Sequence, residues 1–113
     1  MRYAGVGGLD GRIYVAGGLT LGGPTDAVWS VRPGSTPRKV ATLPRPEAHG
    51  ALAAFGGALY YVGGTRILRI LLSGEVSTVA RLPHRLEDPA VVTVGDEIVI
   101  VGGGTSSVYA YKP

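Results

Sequence analysis

The chain has 113 residues, of which 45% are hydrophobic and 17% are charged, so its composition is that of one folded domain. Its net charge of +3 comes without a block of adjacent basic residues, which gives no support for nucleic-acid binding. The absence of cysteine excludes disulfides, thiolate metal sites and a cysteine nucleophile, and it favours a cytoplasmic location.

The sequence predicts neither secretion nor membrane insertion. Residues 1–10 lack the apolar core of a signal peptide. The longest apolar stretch, residues 51–64, contains adjacent glycines and is too short for a transmembrane helix. We therefore expect no membrane partner.

One short motif occurs three times: an apolar strand that ends in a glycine pair. Each copy follows a two-residue turn signal of the kind that joins hairpin strands. The copies are residues 12–18, 58–64 and 97–103, and their glycine pairs begin at positions 17, 63 and 102. Repeats with this spacing that are built from strands favour a β-propeller over a helical array.

In chain order, the pattern predicts three units within a single domain, residues 1–113, and we label the strands of each unit a to d. The units cover about 2–44, 48–83 and 89–113. The predicted strands are 2–9, 12–16, 27–31 and 38–42 in unit one, 50–55, 58–62, 66–71 and 76–81 in unit two, and 90–94, 97–101 and 106–111 in unit three. Leu-Pro pairs at 43–44 and 82–83 close the first two units, and the third unit lacks its fourth strand.

The b strands are apolar at successive positions, as in Ile13, Tyr14 and Val15 of unit one. Because side chains alternate across a sheet, such a run needs cover on both faces. Face-to-face stacking of neighbouring four-stranded sheets provides that cover, and propeller blades are arranged in this way. The predicted fold is therefore all-β, with antiparallel four-stranded blades stacked face to face.

These features resemble the kelch repeat, in which an apolar strand ends in Gly-Gly and an aromatic residue follows on the next strand. The matching glycines are Gly17, Gly18, Gly63, Gly64, Gly102 and Gly103, and the aromatic residues are Trp29, Tyr109 and Tyr111. The resemblance covers almost the whole chain and implies a partial propeller in which strand a lines the ring axis. It does not imply one activity, because kelch-type propellers include binding scaffolds, sugar isomerases and oxidases.

Two full units and a three-stranded third are too few for a closed ring, since propellers have four to eight blades. The two end blades would each expose an apolar face. We therefore expect self-association, and a homodimer is favoured because two chains supply a common ring size of six blades. The alternative is a fragment of a longer propeller, whose next residues supply the fourth strand and cover the open edge of the third blade.

Candidate site residues concentrate at one end of the units, because the b–c and d–a connections of a propeller share a face. The b–c connections are predicted at 17–26, 63–65 and 102–106, and the d–a connections at 43–49 and 83–89. At this end lie both histidines and several charged residues: Asp26, Arg45, Glu47, His49, Arg66, His84, Arg85, Glu87 and Asp88. Loops on a rigid scaffold commonly carry binding residues, although exposed connections are polar in most proteins.

The arginines of this group, Arg45, Arg66 and Arg85, are suited to a carboxylate or an acidic peptide, which arginine binds through parallel hydrogen bonds. Ordinary solvated arginines are the alternative. The glycine pairs do not match a nucleotide-binding loop, because the dinucleotide fingerprint and the phosphate-loop lysine are both missing. We expect these glycines to be structural.

The histidines allow two acid–base or metal-binding pairs, His49 with Glu47 and His84 with Glu87. Neither pair has a diagnostic spacing, so we predict no catalytic residue, no metal and no cofactor. The predicted function is a non-enzymatic binding or scaffold module that self-associates and binds a protein or small molecule on the loop face. The alternatives are a kelch-type enzyme acting on a carbohydrate or small metabolite near the axis, and a propeller remnant without activity.

Overall fold

The computed structural model describes residues 2–113 and contains three antiparallel β-sheets. The first sheet comprises β1 (Gly5–Leu9), β2 (Arg12–Ala16), β3 (Leu19–Thr20), β4 (Gly23–Val31) and β5 (Arg38–Glu47), with the order β1-β2-β4-β3 and β5 also paired to β4. The middle sheet comprises β6 (Ala51–Phe55), β7 (Ala58–Ile70) and β8 (Val76–Leu86). The third sheet comprises β9 (Pro89–Val94), β10 (Glu97–Gly102) and β11 (Val108–Tyr111), in the order β11-β10-β9. The predicted all-β, antiparallel class is confirmed, and no helix in the described chain is long and apolar enough to cross a membrane.

The middle sheet lies between the other two and shares a hydrophobic core with each. The first core joins buried residues of β2, β4 and β5, such as Tyr14 and Val28, to Leu59 and Tyr61 of the middle sheet. The second core joins the opposite face of the middle sheet to the third sheet, with residues Ala53, Ala58, Tyr60, Val62, Ile67, Leu86, Ile98 and Ile100. The fold is thus a stack of three sheets with two cores.

Only the middle sheet is buried on both faces. Residues 58–62 of β7 alternate between the two cores and are all buried, as predicted for a strand with cover on both sides. In β2, Tyr14 enters the core whereas Ile13 is 43% exposed. In β10, Ile98 is buried whereas Val101 is 45% exposed. Each end sheet therefore has one apolar face that no described residue covers.

The three hairpins are structurally equivalent. Gly5 lies opposite Ala16 in the first hairpin, and Ala51 lies opposite Val62 in the second. In the third hairpin, Ala90 lies opposite Val101. In each hairpin, the second residue of this pair comes immediately before a glycine pair. The repeat in the sequence therefore corresponds to a repeat of hairpins with the same register.

The outer strand pairs of the first two sheets also repeat. Thr25 lies opposite Glu47 in the β4–β5 pair, and Gly64 lies opposite Leu86 in the β7–β8 pair. Each pair has two register shifts at equivalent positions: between Thr25 and Ala27 and between Val28 and Trp29 in the first sheet, and between Gly64 and Arg66 and between Ile67 and Leu68 in the middle sheet. Recurrence at the same places marks these bulges as features of the unit.

Two of the predicted connections are largely strand. β5 continues to Glu47 and β8 continues to Leu86, past the Leu-Pro pairs that the sequence pattern places at the unit ends. The expected d–a loops at 43–49 and 83–89 are therefore wrong for most of their length. The prolines fit these positions because β5 and β8 pair on one side only, so a missing N–H on the other side leaves the ladder intact.

The glycine pair of unit two lies inside a strand, which corrects the predicted loop at 63–65. Gly64 has a φ of +58°, and the two arms of β7 on either side of it pair with β6 and with β8 respectively. Leu59, Tyr61 and Leu68 all belong to the first core. If the side chains of β7 alternated without interruption, Leu68 would lie on the face opposite to Leu59 and Tyr61. β7 is therefore bent at the glycine pair.

Three smaller corrections concern strand limits. The predicted loop at 17–26 contains β3 and the start of β4. The predicted first strand, 2–9, begins only at Gly5, after Arg2 forms a single bridge to Leu19. The predicted last strand, 106–111, begins at Val108.

Candidate functional site

Five of the nine predicted site residues form two groups at the end of the sheets where the glycine pairs meet β5 and β8. The Glu47 group contains Arg45, Glu47 and Arg66, and the His49 group contains Tyr3, His49 and Asp88. Tyr3 was absent from the sequence-based candidates.

The backbone around Glu47 is fixed by the first glycine pair. The Gly18 N–H donates to the Glu47 carbonyl over 2.7 Å, and the Gly17 N–H donates to the Ala27 carbonyl over 3.0 Å. Gly17 has a φ of +66°, and a Cβ on it would lie 2.5 Å from the Glu47 carbonyl oxygen. Only glycine fits this contact without displacing β5. The first glycine pair therefore allows the close contact between the end of β2 and β5.

The Glu47 carboxylate connects two of the predicted arginines. Its Oε1 accepts hydrogen bonds from Arg45 Nε at 3.2 Å and from Arg66 Nη2 at 3.3 Å. The Glu47 and Arg66 side chains are only 11% and 14% exposed, whereas that of Arg45 is 58% exposed. The Glu47–Arg66 pair is therefore shielded from water, which strengthens its attraction relative to a surface pair.

Arg85 approaches the same carboxylate. A Cβ built on Gly64 would lie 3.7 Å from Arg85 Nη1 and 3.9 Å from Glu47 Oε2, so both groups occupy the space beside this glycine. Two predicted arginines thus contact Glu47, and a third, Arg85, lies nearby without an ion pair to it. With a single carboxylate among them, the group keeps an excess of positive charge that suits a carboxylate or phosphate ligand.

Tyr61 lies under this group and is packed rather than reactive. Its hydroxyl is buried and has no hydrogen-bond partner among the described residues. Burial, and secondarily the negative charge of Glu47, raise the pKa of Tyr61 well above its usual range. The phenol stays neutral at any physiological pH, and it contributes volume to the core.

The His49 group is built on an unusual backbone. Tyr3, His49 and Asp88 have φ values of +57°, +65° and +53°. These values lie in the left-handed region, which residues other than glycine rarely adopt. The three residues are separated by the same intervals as the three glycine pairs. They are therefore equivalent residues of the three units. The His49 N–H donates to the Tyr3 carbonyl over 2.9 Å, and the Asp88 N–H donates to the His49 carbonyl over 2.7 Å. One row of hydrogen bonds therefore crosses all three units.

The side chains of this row also contact one another. The Tyr3 ring stacks on the His49 ring with centroids 4.0 Å apart, and His49 Nδ1 lies 3.0 Å from Asp88 Oδ1. The His49 side chain is 32% exposed. A carboxylate on Nδ1 orients the imidazole and leaves Nε2 available to a ligand, as in many acid–base and binding sites.

The other candidates remain apart from these groups. Among the described residues, the side chains of Asp26, His84 and Glu87 form no hydrogen bond or ion pair, although the Glu87 N–H donates to the Gly103 carbonyl. The candidate pairs of His49 with Glu47 and of His84 with Glu87 are therefore not formed. Glu47 is held by arginines, and His49 contacts Asp88 instead.

The His49–Asp88 contact escapes sequence reasoning because the two residues lie in different units, whereas candidate partners were sought within one connection. The repeat spacing itself is the signal that could have found it, since it assigns Tyr3, His49 and Asp88 to equivalent positions. In residues 2–113, no three His, Asp or Glu side chains converge as a metal site would require.

Comparison with known proteins adds no assignment: the sequence matches no protein-family model and no curated protein.

Proposed function

We propose that the chain is a binding module of the kelch-type propeller class that closes a six-bladed ring by pairing with a second copy. The observation that carries this proposal is the presence of two uncovered apolar faces, one on each end sheet. The middle sheet supports it, because the same strand pattern is buried on both sides wherever a neighbouring sheet is present.

The two faces are defined as follows. The first end face contains Val6, Ile13, Val15, Trp29 and Val31 on β1, β2 and β4, and its shallow apolar depression of about 620 Å³ is lined by Val15, Trp29, Val31, Thr36 and Pro37. The third end face contains Val92, Val94, Val99, Val101 and Val108 on β9, β10 and β11. Val6, Val92 and Val108 are 59%, 53% and 64% exposed. Covering about 400 Å² of such surface contributes roughly 10 kcal/mol before the entropy lost on association is subtracted.

A second copy fits these faces because the two are ends of one repeat. The third end face is the repeat equivalent of one face of the middle sheet. In the middle sheet, that face is covered by the next sheet along the chain. Placing the first end face of one copy on the third end face of another continues the stacking seen inside the chain. Two copies supply six sheets, within the four to eight of closed propellers.

The row of Tyr3, His49 and Asp88 supports the same arrangement. Its two ends are open, since within residues 2–113 the Tyr3 N–H donates to no backbone carbonyl and the Asp88 carbonyl accepts from no backbone N–H. In a ring of two copies, each Asp88 carbonyl would accept from the Tyr3 N–H of the next copy. Six left-handed residues would then form one closed circle of hydrogen bonds.

Light scattering tests self-association directly. We expect a species of about 23 kDa, twice the 11.6 kDa chain mass. Val99→Lys should give the monomer, because Val99 lies at the centre of the third end face between Val92 and Ala110 and a buried unpaired charge is costly. Thr78→Lys, on the exposed edge strand of the middle sheet, is the control and should remain dimeric. A monomeric wild-type chain, or equal loss of the dimer in both variants, would contradict the proposal.

Within this module, the proposed ligand surface is the end that carries the Glu47 group and the His49 group. Both groups lie where the predicted connections converge, and both contain charged side chains held by neighbours rather than free in solvent. A protein with an acidic segment or a small carboxylate suits Arg45 and Arg66, which contact Glu47, together with the nearby Arg85.

An enzyme acting on a carbohydrate or a small metabolite is a second candidate, favoured by the His49–Asp88 contact alone. A thermal-shift panel of neutral sugars and uncharged metabolites separates the two functions. The enzyme is expected to show a raised unfolding midpoint with its substrate, lost in His49→Ala and kept in His84→Ala. If no neutral compound raises the midpoint, the second candidate is contradicted.

A further inference from the structure

A separate cavity lies at the opposite end of the chain, between the first sheet and the turn that joins β7 to β8. It has a volume of about 530 Å³, which is in the range of small-molecule sites. Its polar lining consists of Asp10, Arg12, Tyr14, Ser30, Arg38 and Lys39, and Leu72, in the turn after β7, also lines it. None of these residues belongs to the ligand surface proposed above.

Two arginines reach this cavity from the core-facing side of the first sheet. Arg12 is two residues from Tyr14 on β2, so both side chains point to the face that packs on the middle sheet. Tyr14 lies opposite Ser30, and Ser30 lies opposite Arg38. Arg12 and Arg38 lie on β2 and β5, the two strands that flank β4, and both residues line this one cavity. The apolar interface between the two sheets thus ends in a pair of guanidinium groups.

The cations of this cavity form no ion pair among the described residues. The ion pairs among the described residues involve Arg45, Arg66, Lys112 and His49, and none involves Arg12, Arg38 or Lys39. Arg12 and Arg38, set against Asp10 as the only lining carboxylate, give this face of the cavity a formal charge of +1. The hydroxyls of Tyr14 and Ser30 add neutral donors beside the guanidinium groups.

The repeat shows that these cations are not required by the fold. The position of Arg12 is occupied by Ala58 in the middle sheet and by Glu97 in the third sheet. The position of Arg38, opposite Ser30, corresponds to Ser77, opposite Arg69, in the middle sheet. Equivalent hairpins therefore form without an arginine at the position of Arg12, and in the middle sheet the arginine of the second pair is on the other strand.

We propose that this cavity binds a small molecule through an oxyanion group, a phosphate or sulfate ester, held by Arg12 and Arg38. Paired guanidinium groups match the oxygens of such anions. The cavity exceeds the size of an inorganic anion, so the ester carries an organic portion that rests against Tyr14, Val40 and Leu72. The site is complete within one chain and does not depend on the proposed ring.

Calorimetric titration with glucose 6-phosphate, glucose, inorganic phosphate and inorganic sulfate tests the site in the wild-type chain. We expect binding of glucose 6-phosphate that weakens with added salt, weaker binding of the inorganic ions, and none of glucose. Arg12→Gln and Arg38→Gln should each lower the affinity at least about tenfold, because each removes a charge-assisted hydrogen bond. Circular dichroism verifies that both variants are folded.

Arg32→Gln is the matched control, since Arg32 is exposed close to Arg38 in sequence but does not line the cavity. It makes the same change in charge and should bind as the wild type does. Equal losses in all three variants would show attraction to net charge only, and absence of binding by every anionic probe would also overturn the proposal. Tighter binding of inorganic phosphate or sulfate than of the ester would overturn the assignment of an organic portion.

Discussion

A chain that carries both Val6→Cys and Ala90→Cys is expected to become a covalent dimer under mild oxidation. Inside the chain, a Cβ at Gly5 would lie 3.2 Å from Leu52 Cβ, where β1 of the first sheet meets β6 of the middle sheet. Ala90 is the repeat equivalent of Gly5, and Val6 is that of Leu52. In a ring, Ala90 of one copy would therefore face Val6 of the next, within the separation that a disulfide needs.

The chain is suited to this experiment because it has no cysteine of its own, and both positions are exposed in the single chain. Non-reducing electrophoresis and mass spectrometry should show a dimer closed by two disulfides. Val6→Cys with Val94→Cys is the control, since Val94 is four residues further along β9, about 13 Å away. Equal cross-linking in the control would rule out the proposed register, even for a chain that is dimeric by light scattering. A ladder of larger products would indicate an open filament instead of a ring.

Replacement of Gly50 by alanine is expected to destabilise the fold by about 3 kcal/mol, near the upper end of the usual cost of overpacking. A Cβ at Gly50 would overlap the ring of Tyr61, which is 1% exposed and packed in the first core. Since the φ of Gly50 is not in the left-handed region, the penalty comes from the overlap and not from backbone strain. Urea unfolding measures the loss as a lower midpoint.

Gly8→Ala is the matched control, because its Cβ would have no atom nearer than 3.8 Å and its φ is also ordinary. It should change stability little. Tyr61→Leu removes the overlapped ring, so Gly50→Ala should cost far less in that background than in the wild type, as a double-mutant cycle would measure. Equal effects of Gly50→Ala and Gly8→Ala would show that the packing around Tyr61 yields.

The repeat and the strands were predictable because local patterns determine them. The turn signals and apolar runs locate the hairpins, and β2 matches its predicted limits. The ends of β5 and β8 were not predictable, since Pro44 and Pro83 normally indicate a strand end. A strand can continue through a proline when its missing N–H faces the side that has no paired neighbour. Which side of a strand is paired depends on contacts between segments that are distant in the sequence.

The sites divide in the same way. Grouping charged residues by connection brought Arg45, Glu47 and Arg66 into one list, and the structure places them in contact. The same grouping missed Tyr3, because a tyrosine near the start of a glycine-rich strand has no distinguishing local pattern. It also missed Arg12 and Arg38, which look like ordinary solvated residues in the sequence but line one cavity in the structure.

The location of the two proposed sites has a consequence for stoichiometry. The cavity beside Arg12 lies between the first and middle sheets of each chain, so a dimer would hold two independent copies of it and bind two equivalents of ligand. The row of Tyr3, His49 and Asp88 would belong to a circle that two chains complete together in the proposed ring. A compound centred on that circle would meet two identical half-sites related by a two-fold rotation. It would bind once per dimer, and a two-fold symmetric compound could use both halves at once.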